Sequence, residues 1–201
     1  MKSHDVHLDS EYTQWIAEVK DRYRRAQIKA VVKVNSEQLL FNWQLGRDLV
    51  IKKAEEKWGT GVVEQVSLDL KAEFPNIAGF STTNLWYMKK WYLFYAKAET
   101  DREIFDSLTE LQGHGQKLHQ VGGERDHLEK LHQPGGEMAF PAAFGFVPWR
   151  HHVEIITHCK SMEEAVFYLG HTIQENWSRS ALQNAIDAEL FEGMHGPDER
   201  V

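Results

Sequence analysis

A helix without acidic residues constrains this chain more than any other feature. No Asp or Glu occurs between Glu73 and Glu99, and the stretch FPNIAGFSTTNLWYMKKWYLFYA begins at Phe74. Pro75 stops the helix before it, because its ring removes a backbone donor and restricts the preceding residue. Ser81 stands where an N-cap belongs, with Asn84 three residues on and helix-period residues after that. Phe80 and Leu85 occupy the two positions of a hydrophobic staple across the helix start. Leu85, Met88, Tyr92 and Tyr95 share one face, while Trp86, Lys89, Lys90 and Lys97 are spread over the others. Two readings fit such a helix. It is either a core element whose lysines reach along its flank to water, or an element that presents cations outward.

The segment upstream gives this helix a context. Trp58-Gly59-Thr60-Gly61 ends one helix, and Thr60 is placed to cap the next. Val62, Val63, Val66, Leu70 and Phe74 then predict a short helix that stops at Pro75. With the turn and the helix after Ser81, it makes a helix-turn-helix candidate, although the Phe74-to-Phe80 turn exceeds the usual three or four residues. In that reading Thr82, Thr83, Asn84, Trp86 and Tyr87 approach base edges or sugars, and Lys89 and Lys90 hold phosphates.

Nearer the N-terminus a helix is predicted from Asp9 or Ser10, with Tyr12, Trp15, Ile16, Val19, Tyr23, Ala26 and Ala30 at three- and four-residue steps. Its other face carries Lys20, Arg22, Arg24, Arg25, Lys29 and Lys33, with only Asp21 among them. This is the densest positive stretch of the chain, and it reads as a solvated face or as a contact for phosphates or another acidic partner. Local concentration matters because the formal net charge is −7, which opposes indiscriminate nucleic-acid binding. From Val34 to Lys57 apolar residues cover much of the circumference, predicting a largely buried helix. Gly46 within it costs about 1 kcal/mol relative to alanine, so close approach of another helix is its expected use. Asn35 marks a polar contact or a bend, and the sequence leaves open whether the two helices form one rod.

The remainder divides in two. Residues 100–146 form an irregular Gly/His-rich connection in which Lys117-Leu118-His119-Gln120 recurs as Lys130-Leu131-His132-Gln133. His114, His119, His127 and His132 match no standard zinc spacing, and a single cysteine, Cys159, excludes both an intrachain disulfide and a thiolate-rich metal site. Residues 147–201 are helical again. Pro148 suits a first turn, Ser161 and Glu164 read as a capping box, and Ser178 caps a helix bearing Leu182, Ile186 and Leu190. The tail from Glu192 is polar and expected to fray. Residues 1–99 and 147–201 are expected to pack as one all-α domain. His151, His152, His158 and Cys159 lie close together and read as packing residues. No apolar run approaches the ~20 residues of a membrane span, and the N-terminus lacks a signal-peptide core, so a cytoplasmic protein is expected.

No phosphate loop, zinc helix or nucleophile elbow is present. Glu18-Val19-Lys20 and Glu55-Glu56-Lys57 carry the letters of a nuclease Glu-x-Lys triplet, yet both fall on helix-patterned segments where i and i+2 side chains diverge. No catalytic residue, metal or cofactor is assigned.

Several phrases in order carry a family resemblance. They are Val34-Asn35, Trp43-Gln44-Leu45-Gly46-Arg47, Trp58-Gly59, Leu68-Asp69-Leu70, Phe74-Pro75, Gly79-Phe80-Ser81, Asn84-Leu85, Tyr87-Met88, Val147-Pro148-Trp149-Arg150-His151-His152, Phe167-Tyr168 and Asn176-Trp177-Ser178-Arg179. From about Ile16 to Leu190 the chain resembles the N-terminal domain of the bacterial YhcG-like nuclease family. The resemblance implies a helical domain that precedes a nuclease-like domain of the PD-(D/E)xK class, a half this sequence does not include. It thus implies a targeting or assembly domain that binds DNA, or forms a homo-oligomer or docks on a nuclease- or restriction-type partner. Arg22, Arg24, Arg25, Lys29, Thr82, Thr83, Asn84, Trp86, Tyr87, Lys89 and Lys90 are the expected DNA contacts, on the premise that both cationic helices converge on one surface.

Overall fold

A computed structural model describes residues 9–96 and 140–195, with 107, 110 and 111 between them. Lys97, the recurring Lys-Leu-His-Gln units and the four histidines from His114 to His132 lie outside the described residues. The fold is all-α, with no strand among the described residues. No helix there is long and apolar enough to cross a membrane.

Helix α1, Ser10–Ile51, is one unbroken rod of 42 residues capped by Asp9, whose carboxylate accepts from the Tyr12 N–H at 2.8 Å. It passes straight through Asn35, where the sequence allowed a bend. The Asn35 amide instead donates to the carbonyls of Gly145 and Val147 at 2.8 and 3.0 Å, tying the rod to a distant segment. The helix predicted to continue to Lys57 breaks earlier. Lys53 takes a left-handed backbone (φ 48°), after which α2, Ala54–Trp58, sets off in a new direction.

Helix α3, Val62–Glu73, starts at Gly61 with no side-chain cap, so Thr60 does not play the capping role expected of it. A 3-10 turn, Ala78–Phe80, leads into α4, Thr82–Tyr95, where Ser81 accepts from the Asn84 N–H as predicted. Phe80 and Leu85 are both buried in one apolar cluster with Leu49 and Val63, as a staple requires. The Ser67 hydroxyl donates to the Phe80 carbonyl at 2.6 Å, which satisfies a buried turn.

Leu85, Met88, Tyr92 and Tyr95 are buried on the predicted face of α4, and Trp91 joins them. Gly46 explains how α4 comes so near to α1. A Cβ at that position would stand 2.2 Å from the Met88 carbonyl oxygen, so only glycine admits the crossing. Trp43, one turn earlier, meets Trp91 edge-on at a centroid distance of 5.2 Å.

A 3-10 segment, Ala142–Phe146, brings Phe144 beneath this pair, and the C-terminal helices α5 (Trp149–His158), α6 (Met162–Glu175), α7 (Arg179–Asp187) and α8 (Leu190–His195) close around it. Pro148 precedes the first turn of α5. Ser161 caps α6 by accepting from the Glu164 N–H, and the Glu164 carboxylate reaches back to the Lys160 N–H at 2.7 Å. Asn176 ends α6 in the left-handed region and Ser178 caps α7. The expected single last helix is split at Glu189 (φ 50°), so Leu190 belongs to α8.

His152 sits fully buried between the Trp91 and Phe144 rings, its Nε2 3.1 Å from the Phe144 carbonyl. Since a carbonyl only accepts, Nε2 carries the proton, and desolvation pushes the pKa down from 6.5 to about 4. Cys159 is likewise packed, with burial pushing its thiol up to about 12.

Gly46→Ala is expected to destabilise the fold by about 2 kcal/mol or more, because the added methyl meets backbone. Gly193→Ala, which meets nothing, is expected to stay within about 1 kcal/mol, and urea denaturation of both variants separates the two effects. The His152 shift sets a pH dependence. The unfolded histidine binds its proton first as pH falls below 6.5, whereas the native one resists until about 4, so its contribution is whole above 6.5 and lost towards 4. That loss is about 3 kcal/mol. Denaturation at stepped pH checks it, and His152→Asn, which does not titrate, is expected to flatten the dependence in that window.

Candidate nucleic-acid interface

From Ser10 to Val34 no residue of α1 is buried; its buried positions begin at Ser36. This half therefore projects from the helical body for roughly 37 Å at 1.5 Å per residue. Arg22, Arg24, Arg25 and Lys29 are all exposed on it, and Arg25 pairs with Asp21 at 3.2 Å. The rod resolves the basic face into two lines. At ~100° per residue, Arg22, Arg25, Lys29 and Lys33 run along one ridge, and Lys20 and Arg24 fall on another side. Lys33 thus lies on the same line as Arg22, Arg25 and Lys29, as its i+4 spacing from Lys29 signals.

Helix α4 presents a different picture. Thr82 is half-buried and Thr83 exposed. The Asn84 amide donates to the Gly79 carbonyl at 2.6 Å, and its oxygen accepts from the Trp149 indole N–H at 2.7 Å, so both ends of that side chain hold the fold. Tyr87 packs against the main core. Trp86 is 39 % exposed, with the Lys89 ammonium 5.0 Å from its ring centre. Lys89 is paired with Glu55 of α2, and the hydrogen bond from Lys89 is the main reason the Glu55 carboxyl sits below its ordinary pKa. Lys90 is exposed.

The two cationic sets do not meet. Lys89 lies at the Gly46 crossing, and Arg25 is twenty-one residues before Gly46 on the same rod, about 30 Å along its axis. The Lys89–Glu55 pair joins residues 34 apart and the Trp149–Asn84 bond residues 65 apart, so neither left a local signal.

Other chemistry is sparse. Among the described residues no three His, Cys, Asp or Glu side chains gather as metal ligands. Glu18, Lys20, Glu55 and Lys57 all stand on helices. A groove of about 640 Å³ between the end of α1, α2 and α3 is lined by apolar residues such as Leu45, Leu49, Val62 and Val66, with Asp48 and Asp69 outnumbering Lys52, a lining that does not favour phosphate.

Lys89→Glu is expected to cost about 1–2 kcal/mol, since it sets a carboxylate against Glu55 at a half-buried site. Lys90→Glu is expected to stay within about 0.5 kcal/mol. Chemical denaturation of the two variants tests this, and equal losses would contradict the assignment.

No curated protein and no solved structure matches the chain. The profile of the DUF1016 N-terminal domain matches residues 18–193, a span that takes in α2 to α7 whole and all but the first turns of α1. The chain therefore belongs to the DUF1016 N-terminal domain family, the N-terminal domain of the YhcG-like nucleases.

Proposed function

We propose that this domain is the DNA-binding, targeting part of a nuclease-family protein, and that the projecting half of α1 supplies its phosphate contacts. The observation that carries the reading is the ridge of Arg22, Arg25, Lys29 and Lys33, cations on one line of an exposed rod in a chain of net charge −7. The ridge rises roughly 16 Å, a length that faces several phosphates of a duplex. Guanidinium groups suit this task because their planar fork matches phosphate oxygens. Lys90, Thr83 and Trp86 add an exposed edge on α4, where the Trp86 indole can meet a sugar or an unstacked base. Asn84 and Lys89 are tied up in the fold and act as supports for that edge. Cutting belongs to a nuclease domain or partner, consistent with the family.

A second reading, protein docking, is favoured by the aromatic stripe on the same rod.

Fluorescence anisotropy against a labelled duplex over a salt series tests the DNA reading. Affinity is expected to fall with a log–log slope of roughly −3 to −4, near −0.9 per phosphate neutralised. Arg25→Glu with Lys29→Glu is expected to weaken binding at least ~10-fold and to lower the slope by about 2. Undetectable binding at low salt, or binding indifferent to these reversals, overturns the reading.

A further inference from the structure

The projecting half of α1 has more to explain than its cations. Tyr12, Ile16, Val19, Tyr23, Ala26 and Ala30 alternate at four- and three-residue steps, the repeat of a coiled-coil seam. Tyr12, Trp15 and Tyr23 are 37, 53 and 65 % exposed. At ~100° per residue this seam lies roughly opposite the Leu39–Trp43–Gly46 face that meets the body, so it is no extension of the domain's own core. A helix of this length, rich in β-branched and aromatic residues, is marginal in water without a packed face.

We propose that the projecting half of α1 pairs antiparallel with the same segment of a second copy, about a two-fold axis near Asp21. Three observations identify the occupant. The first is charge. Residues Asp9–Asp21 carry four acids and one lysine, whereas Arg22–Lys33 carry five cations and no acid. An antiparallel pair sets each acidic half against the partner's basic half, and a parallel pair sets cations beside cations. The second is shape. Centred on Asp21, the layers become Tyr12 against Ala30, Ile16 against Ala26 and Val19 against Tyr23, so large side chains meet small ones in the outer layers. The third is length. In this register Ser10 lies beside Val32 of the other copy, and the overlap ends before Ser36, where the body begins. Each body lies on the far side of its own rod and leaves the seam open. Six aromatic side chains and their aliphatic neighbours bring the buried area to the order of 1,000 Å², the scale of a specific interface. The apolar layers of the seam are separate from the ridge, and only the charge argument draws on the same cations as the DNA reading, so a seam substitution tests the pairing without touching the ridge.

Sedimentation equilibrium of the full chain is expected to give a dimer. Val19→Glu is expected to weaken association at least ~100-fold while the tryptophan near-UV signal of the body persists. Variants that each add one exposed cysteine to a chain whose own Cys159 is buried give the direction. Tyr12→Cys mixed with Ala30→Cys is expected to cross-link as the mixed pair, with little self-cross-linking of either. A monomer at every concentration overturns the proposal, as does a dimer indifferent to Val19→Glu. Self-cross-linking of Ala30→Cys in place of the mixed product overturns the antiparallel arrangement.

Discussion

Everything in this fold depends on α1 and α4 touching backbone to backbone. The absence of a side chain at Gly46 lets the Met88 carbonyl enter van der Waals range, and no other residue could stand there without moving one helix. Once that contact is made, Trp43 and Trp91 are forced edge-on, and their rings become the floor on which Phe144, Trp149 and His152 settle. The two ends of the chain thus share one core because a single glycine lets its first long helix and its fourth approach closely. A second tight point repeats the device. A Cβ on Gly145 would strike the Ser36 hydroxyl, next to the Asn35 amide that holds the same segment.

Local signals in the sequence proved as good as the interactions behind them. Ser81 and Ser178 were legible as caps because an N-cap is satisfied within three residues, and both accept the N–H that local geometry offers. Gly46 was legible as a close approach, since a glycine amid apolar helix residues costs stability that only packing offsets. The breaks at Lys53 and Glu189 were not legible, because neither position carries the glycine or asparagine that usually marks a left-handed turn. The same holds for the candidate site. Exposure of the arginines follows from a rod that outruns its body, a long-range fact. The capture of Lys89 by Glu55 depends on where α2 turns after Lys53.

That capture bears on how a helix of this kind is read. An acid-free, lysine-bearing helix invites a polyanion interpretation, yet its acid can come from another element. Here α2 delivers Glu55, and the positive charge of α4 is reduced where it meets the body. The exposed Lys90 remains. Positive charge that is not locally compensated therefore collects on α1, where Asp21 is the one acid among six cations between Lys20 and Lys33.

The ridge and the seam of α1 make different demands on the same cations, and the charge count decides whether both can be met. Pairing two rods antiparallel sets the acids of one half against the bases of the other, but the halves do not cancel. Each rod keeps two positive charges, because five cations and a lysine face four acids. A pair of rods would then be a cationic bar with one basic stretch toward each body, in a molecule whose overall charge is negative. Within each overlapped half, five cations of one rod stand beside four acids and a lysine of the other, at a helix spacing of ~10 Å that is comparable to the Debye distance of ~8 Å at physiological salt. Association through the seam would in this way temper the field of each ridge while keeping it positive, so that a polyanion meets a longer and weaker cationic track on the pair than on one rod.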